Sequence, residues 1–133
     1  MAAEKQIVDV PGLFDARALG YVQCVVAGDL VFVAGQGGLD ERARLVSPEF
    51  VPQARQALAN VRRALEAAGA TPADITALTV YLTDMGDLRT FGALKREMLG
   101  ETALATSTTV AVSALALPGM LVEVTATAVR PGR

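Results

Sequence analysis

Apolar and polar side chains alternate most regularly over residues 121–128, and this pattern predicts a strand. Its apolar face is formed by Val122, Val124, Ala126 and Ala128. Its other face is formed by Leu121, Glu123, Thr125 and Thr127. Because the apolar face is the one that a protein buries, the alternation fixes the Glu123 carboxylate in mid-strand on the opposite face.

Residues 106–112 predict another strand, because they are dense in β-branched side chains. The sequence Leu-Pro-Gly-Met at residues 117–120 predicts a turn that joins this strand to the last one. We therefore expect the two strands to carry one small polar cluster, formed by Ser107, Thr109 and Glu123.

Earlier in the chain, two apolar runs at residues 21–27 and 30–34 flank Gly28 and Asp29, a pair that favours a tight hairpin turn. Further strands are predicted at residues 7–10 and 77–82. The hairpin ends in Gly-Gln-Gly-Gly at residues 35–38. This segment either presents backbone N–H groups to an anion or substrate, or is a tight turn or bulge.

Two stretches, residues 50–68 and 88–98, repeat apolar side chains at spacings of three and four and predict amphipathic helices. Pro52 falls in the first turn of the first helix, where its missing N–H costs little, and Gly69 follows the last turn. Gly100 ends the second helix in the same way.

This order of elements predicts one domain over residues 1–133, an α/β (α+β) fold with a five- or six-stranded sheet and two helices on one face. The face that the helices leave uncovered is too apolar to be fully exposed to water and too polar to form a core within one chain. We therefore expect it to pack against copies of itself in a closed homo-oligomer, with Glu123 near a subunit boundary.

Composition removes several kinds of chemistry. The chain has no histidine, which excludes histidine-activated nucleophiles and histidine metal sites, and we expect no metal. With a net charge of −2 and scattered basic residues, we expect no nucleic-acid partner. The single cysteine, Cys24, is expected in the core, and the apolar runs are too short to span a membrane. We expect a cytoplasmic protein with no membrane partner.

The sequence resembles the YjgF/RidA family over nearly its whole length. The resemblance is carried by Tyr-Val-Gln at residues 21–23, AGDLVFVAGQ at 27–36, FVPQARQALANVRRALEAAGA at 50–70, TVYLTDM at 79–85 and LPGMLVEVTA at 117–126. It implies a chorismate-mutase-like fold, a homotrimer and three clefts between subunits. In RidA itself, these clefts hydrolyse reactive enamines and imines to ammonia and a keto acid without a cofactor, so none is expected here.

The resemblance implies roles for three residues: Tyr21 matches the cleft tyrosine, Gly35 the glycine whose backbone approaches the substrate, and Glu123 the carboxylate beside the catalytic water. At the position of the family's diagnostic arginine this chain has Ser107, and at the position of a frequent asparagine it has Gly92. That arginine clamps a substrate carboxylate through paired hydrogen bonds, which a hydroxyl cannot reproduce.

The resemblance, together with the missing arginine, implies a deaminase for imines or enamines without a neighbouring carboxylate. Glu123 would hold the water molecule. Ser107, Thr109 and Tyr21 would orient the small-molecule substrate, and the amide region of Gly35 would donate a hydrogen bond. A non-catalytic trimer that binds a metabolite is the alternative, and the endoribonuclease or translation-inhibitor activity associated with the family is a weaker third. Glu123 could instead pair with an arginine of another subunit, and Ser107 could be an ordinary strand serine. Whether Arg17 or Arg89 replaces the lost arginine is left open.

Overall fold

The computed structural model describes residues 4–131, which form a six-stranded mixed sheet with two α-helices on one face. The strands are β1 Lys5–Ile7, β2 Cys24–Ala27, β3 Leu30–Gln36, β4 Ile75–Leu82, β5 Thr106–Ala111 and β6 Val122–Val129. The helices are α1 Phe50–Ala67 and α2 Leu88–Leu99. Short 3₁₀ turns lie at Arg17–Leu19, Pro72–Asp74 and Met85–Asp87. None of the helices in this part of the chain has the length and apolar character needed to cross a bilayer.

The strand order is β1-β2-β3-β6-β4-β5, and every neighbouring pair is antiparallel except β4 with β5. The predicted hairpin is confirmed, with Ala27 paired to Leu30 across the Gly28-Asp29 turn. The first strand lies earlier than residues 7–10, because Lys5–Ile7 pair with β2 while Val8 and Val10 turn inward and pack against the core.

The core lies between the helices and the face of β6 that the alternation predicts. Val122, Val124 and Ala128 have no exposed surface, and Ala126 is only 2% exposed. The side of α1 that meets this face is formed by Ala54, Ala57, Leu58, Val61, Ala64 and Leu65. Each large apolar side chain buried in this way contributes about 1.5–3 kcal/mol to folding.

Cys24 lies in this core, as predicted. Burial raises the pKa of its thiol to about 11, so it stays protonated at neutral pH. A buried, protonated thiol is a poor nucleophile, and Cys24 therefore has a packing role.

The other face of the sheet is not covered by the helices. Phe32 lies opposite Thr127 on this face and is 43% exposed, while Val110 is 38% exposed. Leu30 and Val129 pair at the edge of the same face and are exposed to a similar extent. The fold thus leaves a broad, partly apolar surface next to Glu123.

Candidate active site

A β-bulge lies at the end of β3. Val33 is opposite Ala126 of β6, but Gln36 is opposite Val124, so β3 holds one residue more than β6 between these two pairs. The extra residue falls at Ala34 or Gly35. Such bulges bend a strand and are frequent beside active sites. The bulge that the glycine-rich segment suggested is therefore present.

Gly35 is required by the position of Glu123. A Cβ atom added to Gly35 would lie 2.6 Å from Oε2 of Glu123 and 2.7 Å from its Cδ. The carboxyl group therefore lies directly over the backbone of the bulge, at a distance that only glycine permits. The close approach joins two residues that are 88 positions apart in the sequence.

Glu123 is half-buried, and this burial raises the pKa of its carboxyl group. Among the described residues, neither lysine nor arginine forms an ion pair with it. Burial also raises the pKa of the Tyr21 hydroxyl, and the negative charge of Glu123 raises it further. The site thus combines a carboxyl group that exchanges its proton closer to neutrality with a hydroxyl group that stays protonated.

Glu123 opens into a cavity of about 150 Å³. The cavity is lined by Phe14, Leu19, Tyr21, Gly35, Gln36, Gly37, Leu39, Ala43, Ala116, Leu117, Met120 and Glu123. Glu123 is the one charged side chain in this lining, and most of the other side chains are apolar. A small molecule with a polar reacting centre and an apolar body fits this distribution.

Two buried glutamines tie the bulge to the cavity wall. Nε2 of Gln36 donates to Oε1 of Gln23 over 2.8 Å and to the Ala34 carbonyl over 3.1 Å. Nε2 of Gln23 donates in turn to the Phe14 carbonyl over 3.1 Å. This chain of bonds connects the bulge next to Glu123 with the segment that carries Phe14 and leads towards Tyr21.

A third glutamine, Gln53 of α1, fixes the opposite wall and is fully buried. Its Nε2 donates to the carbonyls of Ser47 and Gly119, and its Oε1 accepts from the N–H of Leu121. The sequence analysis did not identify these glutamines. A signal was present, because Gln23 directly precedes β2, Gln36 ends β3 and Gln53 lies among the buried residues of α1.

The predicted cluster of Ser107, Thr109 and Glu123 is wrong within one chain. Strand β4 lies between β5 and β6, and Ser107 and Thr109 pair with Leu78 and Val80 on the helix side of the sheet. Glu123 pairs instead with Tyr81 on the other face. The physical reason is burial: alternate residues of β4 are apolar and buried, which needs a central position, whereas β5 is polar and exposed, which suits an edge.

Neither alternative arginine lines the cavity that contains Glu123. Arg17 donates from Nη2 to Asp9 over 2.8 Å and from its backbone N–H to Asp15 over 3.0 Å. These contacts hold Arg17 against a separate cavity of about 170 Å³ beside β1. Arg89 is exposed on α2. Within residues 4–131, no group of three or more histidine, cysteine, aspartate or glutamate side chains is arranged to hold a metal ion.

The sequence of this chain is similar to those of known proteins. The family model described as endoribonuclease L-PSP matches residues 15–130. A RutC family protein of Pyrococcus horikoshii is 37% identical over 81% of this chain and 85% of its own length. A protein of Salmonella typhimurium named 2-iminobutanoate/2-iminopropanoate deaminase is 40% identical over 55% of this chain and 57% of its own.

Solved structures agree. The crystal structure of Escherichia coli TdcF with bound serine has a TM-score of 0.84 and 30% identity, and covers 95% of this chain and 99% of that one. The predicted chorismate-mutase-like α+β fold is confirmed by this similarity and by the sheet order above. The match over residues 15–130 and the similar relatives show that the chain belongs to the YjgF/RidA family, whose sequence model is described as endoribonuclease L-PSP.

Proposed function

We propose that this protein hydrolyses reactive imines or enamines that lack a carboxylate beside the reacting carbon. The observation that carries the proposal is the Glu123 carboxyl group, which has no ion-pair partner among the described residues, lies over Gly35 and faces an otherwise apolar cavity that contains Tyr21. The name of the Salmonella relative, an iminobutanoate and iminopropanoate deaminase, supports the same class of reaction.

The reaction needs a water molecule, a proton carrier and hydrogen-bond donors, but no covalent nucleophile. Glu123 accepts a proton from a water molecule while the water oxygen bonds to the imine carbon. The C=N electron pair moves to the nitrogen, and Glu123 returns the proton to that nitrogen. Glu123 then transfers the hydroxyl proton of the resulting carbinolamine to its nitrogen, the C–N bond breaks to release ammonia, and the hydroxyl oxygen becomes the carbonyl oxygen. The sum is imine plus water giving carbonyl compound plus ammonia. Tyr21 and the backbone at Gly35 orient the reacting atoms.

Charge favours a substrate without a carboxylate. A protonated imine is a cation, which the Glu123 carboxylate attracts. A carboxylate beside the reacting carbon would instead be repelled by Glu123, at about 4 kcal/mol for like charges 4 Å apart in a site with an effective dielectric constant near 20. The family resemblance implies that other members carry an arginine at the position of Ser107, which would offset this repulsion. Here Ser107 cannot offset it, and Arg17 does not line the cavity and pairs with Asp9 and Asp15 instead.

The test is ammonia release from imines generated in place. A flavin-dependent amine oxidase supplies imines without a carboxylate, and an amino-acid oxidase supplies imines with one. We expect the protein to accelerate release from the first set by at least tenfold over heat-inactivated protein, and from the second set by less than twofold. No acceleration with any imine would overturn the proposal. Thermal stabilisation by a ligand without turnover would then favour the metabolite-binding alternative.

We also propose that three copies assemble through the uncovered sheet face. Exposed apolar residues such as Phe32 and Val110 support this assembly, because a monomer seldom leaves such a surface open. Ser107 lies outside the cavity of its own chain, on the helix side of the exposed edge strand β5, so in a closed trimer it would act at a neighbouring copy's cavity only across this edge. Replacing Ser107 with arginine is then expected to raise activity on imines that carry a carboxylate.

Light scattering at micromolar concentration checks the assembly. We expect a mass of three times the 13.8 kDa chain for the natural sequence and a shift to one chain for Phe32→Glu, which places a charge in the interface. Leu88→Glu is the matched control, because Leu88 and Phe32 are each 43% exposed and Leu88 lies on α2. A single-chain mass for the natural protein at every concentration would contradict the trimer.

A further inference from the structure

The cavity beside Glu123 has an apolar wall that the proposed chemistry does not use. Its larger members are Phe14, Leu19, Leu39, Leu117 and Met120. The reacting C=N group needs only Glu123, Tyr21 and the backbone at Gly35, so this wall is available for the rest of the substrate. A cavity of about 150 Å³ is large enough for a group the size of a benzene ring.

Met120 is the most buried of these apolar side chains and is only 4% exposed. Its terminal methyl group lies over the backbone of Gly37: a Cβ added to Gly37 would be 2.3 Å from Cε of Met120 and 3.8 Å from its Sδ. The side chain of Met120 therefore extends to the backbone of Gly37, the residue after β3, and both residues line the cavity. Its unbranched, flexible side chain fills space that a shorter residue would leave open.

The segment that carries Met120 is held in place at both ends. Gln53 accepts from the Leu121 N–H over 2.8 Å and donates to the Gly119 carbonyl over 2.9 Å. The backbone on either side of Met120 is thus anchored to α1. The length of the Met120 side chain, and not movement of its backbone, then limits the depth of the cavity.

We propose that Met120 determines the size of an uncharged apolar substituent that the site accepts, with Leu117 and Leu19 covering the sides of that substituent. The inference rests on the proposed function for the identity of the reacting group. The binding of the substituent does not depend on turnover. The substrate class is therefore an imine or enamine with a compact hydrocarbon group of up to about the size of a benzene ring.

The test uses carbonyl compounds, which have the form of the hydrolysis product and do not react further. Protein-observed NMR titrations with 2-butanone, 4-methyl-2-pentanone, acetophenone and 4-phenyl-2-butanone measure the dissociation constants. For the natural protein we expect about threefold to fourfold tighter binding for each added methylene, until the cavity is full and binding weakens. The carboxylate-bearing counterpart, 4-methyl-2-oxopentanoate, is expected to bind at least ten times more weakly than 4-methyl-2-pentanone.

Two variants change the cavity in opposite directions. Met120→Ala removes Cγ, Sδ and Cε and is expected to shift the optimum to 4-phenyl-2-butanone, with at least tenfold tighter binding relative to 2-butanone. Ala116→Leu adds bulk at an exposed position of the lining and is expected to weaken the two aromatic ketones by about the same factor. It also keeps the test valid if Met120→Ala folds poorly. Met85→Ala is the matched control, since Met85 is exposed and outside the lining.

The outcomes separate this inference from the proposed function. If neither variant changes the order of the ketones, or if the carboxylate counterpart binds as tightly as the ketone, the inference about Met120 is overturned whether or not imines are hydrolysed. If the ketones follow the expected order and no imine is hydrolysed, the inference holds and the proposed reaction fails.

Discussion

Replacing Glu123 with glutamine is expected to lower the rate of ammonia release by about 10²- to 10⁴-fold, the usual contribution of a positioned general acid or base. The amide is close in size to the carboxyl group, so the contact with Gly35 is retained. What is lost is the group that accepts and returns the proton. The measurement is the rate of ammonia release at saturating and at low imine concentration, for both proteins, with Glu66→Gln on the outer surface of α1 as the matched control.

The pH dependence of the natural protein tests the same residue. Burial raises the pKa of Glu123, so its base form is lost at a higher pH than for an exposed glutamate. Activity is therefore expected to fall on the acid side at a pH above the ordinary value of 4.5. The glutamine variant has no such step, and an acid limb that is identical in both proteins would contradict the assignment.

The stability of the folded protein is expected to fall over the pH range in which activity rises. Because the folded pKa of Glu123 is raised, the folded protein holds this proton more tightly than the unfolded chain does. The free energy of unfolding therefore falls as the pH rises from the ordinary pKa to the raised one. Above that interval Glu123→Gln should be the more stable protein, and below pH 4.5 the difference should shrink. A less stable variant at pH 8 would show that the carboxylate has a structural partner.

Much of the fold could be predicted from local patterns. The alternation in β6 and the apolar spacing in α1 each reflect one face of one element, so they need no knowledge of the partner. The order of strands is different, because the turn at residues 117–120 fits either a hairpin or a connection past another strand. Because alternate residues of β4 are buried, β4 lies between β5 and β6, and the connection passes another strand. Ser107 and Thr109 therefore lie away from Glu123.

The site was predictable to the extent that it depends on residue type. The position of a carboxylate in mid-strand indicated Glu123, and the family resemblance indicated Tyr21 and Gly35. All three residues line one cavity. Sequence reasoning did not find what fixes its walls. Gln53 bonds to backbone groups of distant segments and Gln36 bonds to the side chain of Gln23, and the partner of a hydrogen bond of either kind cannot be read from a periodic pattern.

Gln53→Leu is expected to lower the free energy of unfolding by about 2 to 4 kcal/mol. Leucine keeps most of the volume but loses the bonds to the Ser47 carbonyl, the Gly119 carbonyl and the Leu121 N–H. These backbone groups are partly buried, so water replaces the lost bonds only in part. Because residues 119–121 lead directly into β6, the change also loosens the segment that carries Met120 and precedes Glu123.

Urea denaturation at equal chain concentration measures this change, since the stability of an oligomer depends on concentration. Gln56→Leu on the same helix is the control: its side chain makes one bond, to Oδ1 of Asn60, and should lose less than about 1 kcal/mol. At a temperature where both variants are folded, Gln53→Leu should also bind the ketones less tightly than Gln56→Leu. Equal stability of the two variants would mean that the loop keeps its position without Gln53, and that packing of Met120 against Gly37 is sufficient to hold the wall of the cavity.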